Sequence, residues 1–453
     1  MNLKSCFYVI VLLLALFCVL PGCAFAPKEP AWISQNPTDS AYYSAVVRIS
    51  RKAPNYVDLA RDNALKEIST QISVSIDADI ALTETEANGI PSAEIVNQIR
   101  SSSRNKLANV QLAGSYQTDK DYWAYYRLSK SEYLAWRLKQ RDLAMHQALS
   151  LMQEFDNATT DLAPGITSLL KALEQVVDFA DLDLTARYQE KNVNLYNELL
   201  FRFNRLPENI RLSYFQKELN VIAKQKEKQI VEVKTEYLKG TQSYVARTFP
   251  VVFSFQAGNG DIVKQAVSDN NGIAELIIRR VTDFTDPQFI ELKPDKAYWQ
   301  SRLENPVVKK LLDALQFSPA ILKLNVFRPK VYLDYSFDNG AGNGYRDLVF
   351  KKLQDLDLEV VTDSTASNYT IRVMIISREG DYVSRLNLFS ASADAYVELL
   401  QSKGFKSIYS TNLTGVKSTG TDARTAIKMS ELNAVAEICD QLLFMLVEQH
   451  IFY

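Results

Sequence analysis

The residues able to do chemistry in this 453-residue chain are few. The densest run is Gly340-Ala341-Gly342-Asn343-Gly344, between an expected strand and an expected helix. Glycines there would let backbone N–H groups approach an anion at a helix start. The spacing does not fit: a dinucleotide fingerprint needs G-x-G-x-x-G, and the third glycine comes one residue early. No Lys-Ser or Lys-Thr follows for a P-loop, so the run reads as a flexible turn. Asp119 with Asp121, and Asp181 with Asp183, are spaced carboxylates of the kind calcium uses, but an EF-hand needs many more oxygens and a terminal Glu. His146 and His450 are the only histidines, and neither has a Cys or His at metal-ligand spacing. There is no G-x-S-x-G elbow and no H-E-x-x-H, so no catalytic residue, cofactor or metal is expected. Tyr122, Trp123, Tyr125, Tyr126, Tyr133 and Trp136 remain as a candidate sugar- or protein-binding face. Alternation along a strand sets Trp123 with Tyr125 and Tyr122 with Tyr126, one pair facing the core.

The start of the chain carries the clearest signal. Lys4 gives a positive start, Cys6 to Leu20 is an apolar run of 15 residues, and Leu20-Pro21-Gly22-Cys23 follows. A spanning helix needs about 20 apolar residues, so this is the layout of a secretion signal. Leu20 to Cys23 resembles the bacterial lipoprotein signal, which implies a signal peptide over 1–22 and lipid (palmitate and related acyl chains) on Cys23. Pro21 departs from that pattern, where a small or β-branched residue is usual. The alternatives are cleavage after Ala24-Phe25-Ala26, which would leave Pro27 against the protease, and an uncleaved anchor. Acyl chains add about 0.8 kcal/mol per buried CH₂, so lipid on Cys23 would hold the chain stably at a membrane. Ala24 after the cysteine, with no acidic run, resembles known lipoprotein sorting signals, and that resemblance implies an outer-membrane destination facing the periplasm. Cys6 and Cys18 leave with the signal, so Cys439 has no partner for a disulfide. It sits on an apolar helical stripe and reads as core.

Hydrophobic residues make up 47% and charged residues 23%, as in ordinary folded protein. The net charge of −2 argues against a nucleic-acid partner. Periodicity gives an α+β multidomain chain. Over 23–128, Tyr42–Ile49 is an expected strand and Tyr56–Gln71 a helix. Ile72, Val74 and Ile76 alternate as a strand to Glu84, 92–107 is a polar helix, and Val110–Gln117 with Tyr122–Leu128 close the unit. A helical spacer covers 129–206, its first helix capped by Ser129 and striped by Leu134, Leu138, Met145, Leu149 and Met152. Its second starts near Pro164, and its third runs from Leu184 to Phe203 and stops at Pro207. Short strands with Gly and Asn turns over 207–300 indicate a β-sandwich. Strands, including Ile321–Phe327, and a long closing helix from Asp422 make a second α+β unit over 301–453.

The first unit resembles the LPP20 family of bacterial lipoproteins. The likeness rests on Pro30-Ala31-Trp32-Ile33, on Asp39 with Tyr42-Tyr43, on the helix from Ala60 to Ile68, and on Asp121 to Leu128. It implies a small α+β domain at the cell envelope and no enzymatic activity. The turn from Asp269 to Ala274 resembles one in bacterial immunoglobulin-like domains. Within the chain, 63–72 and 433–442 share five of ten residues, which suggests that the first and last units have a common fold. The expected role is a non-catalytic envelope lipoprotein with a protein or glycan partner. The alternatives are a subunit of an envelope assembly or secretion complex, and a periplasmic hydrolase acting on glycans through carboxylates alone.

Overall fold

The computed structural model describes residues 29–82 apart from 36 and 38, then 109–337 and 343–452. Cys23 and its signal, the helix expected over 92–107 and the glycines of 340–342 lie outside these residues. The chain divides into two units, Met1–Leu149 with Leu173–Glu198, and Ser150–Ala172 with Leu199–Tyr453.

The first unit opens with a one-turn helix, Ala31–Ser34. Strand β1 (Tyr42–Ser50), helix α1 (Tyr56–Leu82), β2 (Gln111–Gln117) and β3 (Asp121–Ser129) follow. The sheet order is β1-β3-β2, antiparallel throughout. Ala60, Ala64 and Ile68 are fully buried, and small residues at that spacing let α1 lie close on β1 and β3. Helix α1 replaces the strand expected from Ile72. Ile72 falls one turn beyond Ile68 and is buried, and the Ser73 hydroxyl donates to the Ser69 carbonyl inside the helix at 2.8 Å. Burial on one face therefore overrides the β-branched alternation, and Val74 is left exposed.

Helix α2 (Lys130–Asn157) begins with Ser129 Oγ accepting from the Glu132 N–H at 3.3 Å. Its buried residues are Tyr133, Arg137, Ala144, Ala148, Met152 and Phe155. The expected stripe meets this face fully only at Met152, and Leu134 is exposed. Helix α3 (Leu162–Val176) buries Leu169, Leu173 and Val176 along one face. The third expected helix is corrected by a hairpin, β4 (Thr185–Tyr188) and β5 (Lys191–Asn194), ahead of α4 (Leu195–Asn204). Gln189 and Glu190 take φ of 44° and 66°, the left-handed pair that a tight hairpin turn demands. Helix α4 ends before Pro207, which opens a further one-turn helix, Leu206–Asn209.

In the second unit ten strands build two sheets. They are β6 (Ile210–Tyr214), β7 (Glu218–Ile222), β8 (Gln229–Lys239), β9 (Gln242–Val245), β10 (Pro250–Ala257), β11 (Gly260–Ile262), β12 (Gln265–Val267), β13 (Ile273–Val281), β14 (Gln288–Pro294) and β15 (Ala320–Phe327). One sheet runs β12-β10-β14-β15-β7; the other runs β11-β13-β8-β6, with β9 on β8. Alternate residues are buried, among them Val231, Val233, Phe253, Leu276, Ile290 and Leu292. The Tyr214 hydroxyl of one sheet donates to the Ile290 carbonyl of the other. Strand β15, expected in the last unit, pairs with β14 and β7 instead. The turn before β13 forms as its residues demand: Asp269 Oδ1 accepts from the N–H groups of Asn271 and Ile273, and Gly272 takes φ +72°. Trp299 is buried, its indole N–H donating to the Ala163 carbonyl at 3.2 Å. Helix α5 (Pro306–Ala314) is capped by Asn305.

The closing part has β16 (Lys330–Phe337), α6 (Asn343–Asp355), β17 (Glu359–Val361), β18 (Tyr369–Val383), β19 (Leu388–Gln401), β20 (Lys406–Gly420) and α7 (Ala423–Glu437), which continues as helical turns to Ile451. The sheet order is β17-β16-β18-β19-β20, with β16 parallel to both its neighbours. Val331, Leu333, Val373 and Val397 form its core with Val349, Leu353, Ala434 and Ile438.

The echoed helices bury matching positions, Ala64 with Ala434, Ile68 with Ile438 and Ile72 with Leu442. Each follows directly on an edge strand, β1 or β20. The matched Glu67 and Glu437 each line a notch beside that strand. Among the described residues the two sheets differ in strand direction, so the likeness seen there covers a strand and its helix.

Candidate functional site

Strand β3 distributes its aromatic residues to two faces. Tyr122 and Tyr126 are buried beside Ala124 and Leu128, on the side covered by α1. Trp123 and Tyr125 lie on the opposite face and stay half-buried. Register builds rows across that face: Arg48, Trp123 and Tyr116 in one, Val46, Tyr125 and Gly114 in the next, Ser44 and Arg127 in a third. Trp32 closes over the middle row. Its ring centroid is 5.8 Å from that of Tyr125, and a Cβ added at Gly114 would stand 3.2 Å from its indole nitrogen. Glycine is therefore the residue that lets the indole approach this close.

Two arginines interleave with the rings. The Arg48 guanidinium lies 5.2 Å from the Trp123 ring centroid and donates to Asp121 at 2.6 Å. That hydrogen bond raises its pKa and keeps it charged. Arg127 lies over Tyr42 at 4.7 Å, and its Nε is buried with no hydrogen-bond partner among the described residues. Cation–π contact of this kind fixes the guanidinium while leaving donors for a ligand. At the β1 edge the face runs into a polar notch of about 250 Å³ lined by Asp39, Tyr42, Ser44, Val46, Glu67 and Gln71. Gln71 is locked there, accepting from the Ser44 N–H at 3.2 Å and donating to its carbonyl at 2.7 Å. Flat rings beside oriented donors and acceptors suit stacking and hydrogen bonding to a glycan or a polypeptide.

The other sequence candidates fall elsewhere. Asp181 is an ion-pair partner, held by Arg137 through two bonds of 2.6 and 2.8 Å. Asp183 accepts from Thr185, which lowers its pKa. Asp334 and Glu398 approach one another only through Arg372, which bonds them at 2.9 and 3.1 Å. His146 is exposed, and His450 stacks on Tyr409. Tyr133 is buried against Trp136, on helix α2. Cys439 is a free, half-buried thiol whose pKa is pushed up to about 11 by burial. Among the described residues no group of three or more His, Cys, Asp or Glu side chains could hold a metal, and no helix is long and apolar enough to cross a membrane. Sequence reasoning missed Arg48, Tyr116 and Gly114, because strand register decides their company. Trp32 and Arg127 were visible only through the family likeness.

No family model matches the chain, and no curated protein matches it. Three solved structures to which it is similar each cover about a quarter of it. One is a hemagglutinin homolog from Helicobacter pylori, at 12% identity over 27% of this chain and 88% of that one, with a TM-score of 0.21. Another is a Xanthomonas campestris protein of the DUF330 family, at 17% identity over 26% and 84%, with a TM-score of 0.21. The third is lipoprotein GNA1162 from Neisseria meningitidis, at 8% identity over 25% and 99%, with a TM-score of 0.19.

Proposed function

We propose that this chain is a non-catalytic cell-envelope protein, tethered by lipid on Cys23 at the periplasmic side of the outer membrane, which binds a protein or glycan partner. The observation that carries the reading is the aromatic–arginine face of the first unit. Trp123 and Tyr125 are held outside the core with Arg48 and Arg127 between the rings. Partly exposed Trp, Tyr and Arg supply much of the binding energy of interfaces when a partner covers them.

Crosslinking in intact envelopes, followed by recovery of the tagged chain, tests this. A partner recovered with the parent protein falls at least tenfold with Trp123→Ala combined with Arg48→Ala, and metabolic labelling with an alkynyl palmitate is lost in Cys23→Ser. Recovery of no partner, together with turnover of an envelope glycan by the purified protein, would sink the binding reading. A second reading, as a subunit of an envelope assembly, draws on β20. This edge strand of 15 residues has one side without a strand partner among the described residues. Edges of this length are templates for pairing with another chain.

A further inference from the structure

Strand β13 carries a β-bulge where it meets β11: Asp261 pairs with Arg280, but the next residue, Ile262, pairs with Ile278. Arg279 is therefore passed over in the register. In a regular strand consecutive side chains leave on opposite faces; a bulge re-aims one of them. Here the consecutive Arg279 and Arg280 both line one concavity of about 440 Å³. Lys226 and Lys228, from the loop before β8, line it too. Val263 and Ile277 make its apolar floor, joined by a backbone hydrogen bond of 2.9 Å. Asp261 is the single carboxylate in the lining, against four cations.

That carboxylate offsets one of the four cations. It stands 3.7 Å from Arg279, beyond hydrogen-bond distance, and both side chains are more than half exposed. Arg280 and Lys228 have no ion pair among the described residues. Glu227, between the two lysines in sequence, acts on Tyr369, whose hydroxyl also accepts from Gln225. Arg280 and Lys228 therefore leave the hollow, in a chain of net charge −2, with a surplus of positive charge that a bound anion would offset. A fork of two guanidinium groups backed by two ammonium groups matches the oxygens of a phosphoryl group, and the volume accommodates more than one.

We infer that this concavity is a binding site for a phosphoryl-bearing anion, presented either as a free phosphate compound or as a phospholipid headgroup. The site is separate from the aromatic face of the first unit and does not rest on that reading. The test is calorimetric titration of the full chain in neutral detergent with two probes. One is inorganic pyrophosphate; the other is dihexanoylphosphatidylglycerol kept below its micelle concentration. Saturable binding of pyrophosphate alone assigns a free phosphate ligand, and binding of the lipid probe assigns a headgroup. In either case Arg279→Gln combined with Arg280→Gln weakens binding at least tenfold, and so does Lys226→Gln combined with Lys228→Gln. Lys403→Gln with Lys406→Gln, an equal change of charge at exposed positions elsewhere, leaves affinity within twofold. No saturable binding of either probe overturns the inference. So does binding that the arginine pair leaves unchanged, or that all three double variants weaken alike.

Discussion

Arg137 is 7% exposed against an Asp181 that is 2% exposed, and charge at that depth is costly to bury and costlier to strand. Burial works against the Arg137 guanidinium, while its hydrogen bonds to Asp181 act the other way and leave its pKa raised. A third bond reaches the Asp178 carbonyl at 3.1 Å, so the fork is well satisfied. Removing one partner leaves an uncompensated charge, and Arg137→Met is expected to destabilise the first unit by about 3–5 kcal/mol. Urea unfolding measures this, and adding Asp181→Leu restores most of the loss. From the sequence, Asp181 is one of a spaced carboxylate pair of the sort calcium binds. Its partner lies 44 residues away, and only the docking of Asp181 beside α2 makes them neighbours. The aromatic candidates divide in the same way. That alternate residues of β3 face opposite sides is legible from spacing; that Tyr122 and Tyr126 face α1 is not.

At the scale of elements, capping and turn chemistry were the legible part. Ser129 and Asp422 stand where the spacing places helix starts, and each accepts a backbone N–H. Asp422 accepts from both the N–H and the hydroxyl of Thr425, and those bonds hold its pKa down. Asp422→Ala is expected to destabilise α7 by leaving its first-turn N–H without the cap. A drop in the thermal midpoint that Asp422→Asn largely recovers would identify the cap as its source. The errors share one cause, a local pattern overruled by contacts distant in sequence. Ile72, Val74 and Ile76 alternate as a strand would, yet Ile72 extends the buried face already begun by Ala64 and Ile68. The apolar positions around 184–203 read as one helix, because nothing in Gln189-Glu190 advertises the positive φ that turns the chain there. Strand β15 was assigned by its nearness in sequence to β16, whereas its hydrogen bonds go to β14 and β7.

Both units carry groups that burial keeps neutral, and this sets a limit on the alkaline side. Burial pushes Tyr196 in the first unit up to about 12 and Cys439 in the second up to about 11, from ordinary values of 10.0 and 9.0. A group whose folded pKa is raised contributes stability that is whole below its unfolded pKa and is lost as pH rises through the folded one. Urea midpoints should hold steady up to about pH 9, fall for the second unit from there onward, because Tyr214 and Tyr335 are also pushed up by burial, and fall for the first between about 10 and 12. Cys439→Val should delay the earlier fall and leave the later one. Trp299 makes the two units separable by light. Of the four tryptophans, Trp32, Trp123 and Trp136 belong to the first unit, and Trp299 alone to the second. Its indole is enclosed and bonded to a carbonyl, a setting that shifts emission toward the blue, while those of the first unit meet water in part. The chain thus carries a built-in two-colour label, one colour for the face proposed to meet a partner and another for the unit that holds the cationic hollow.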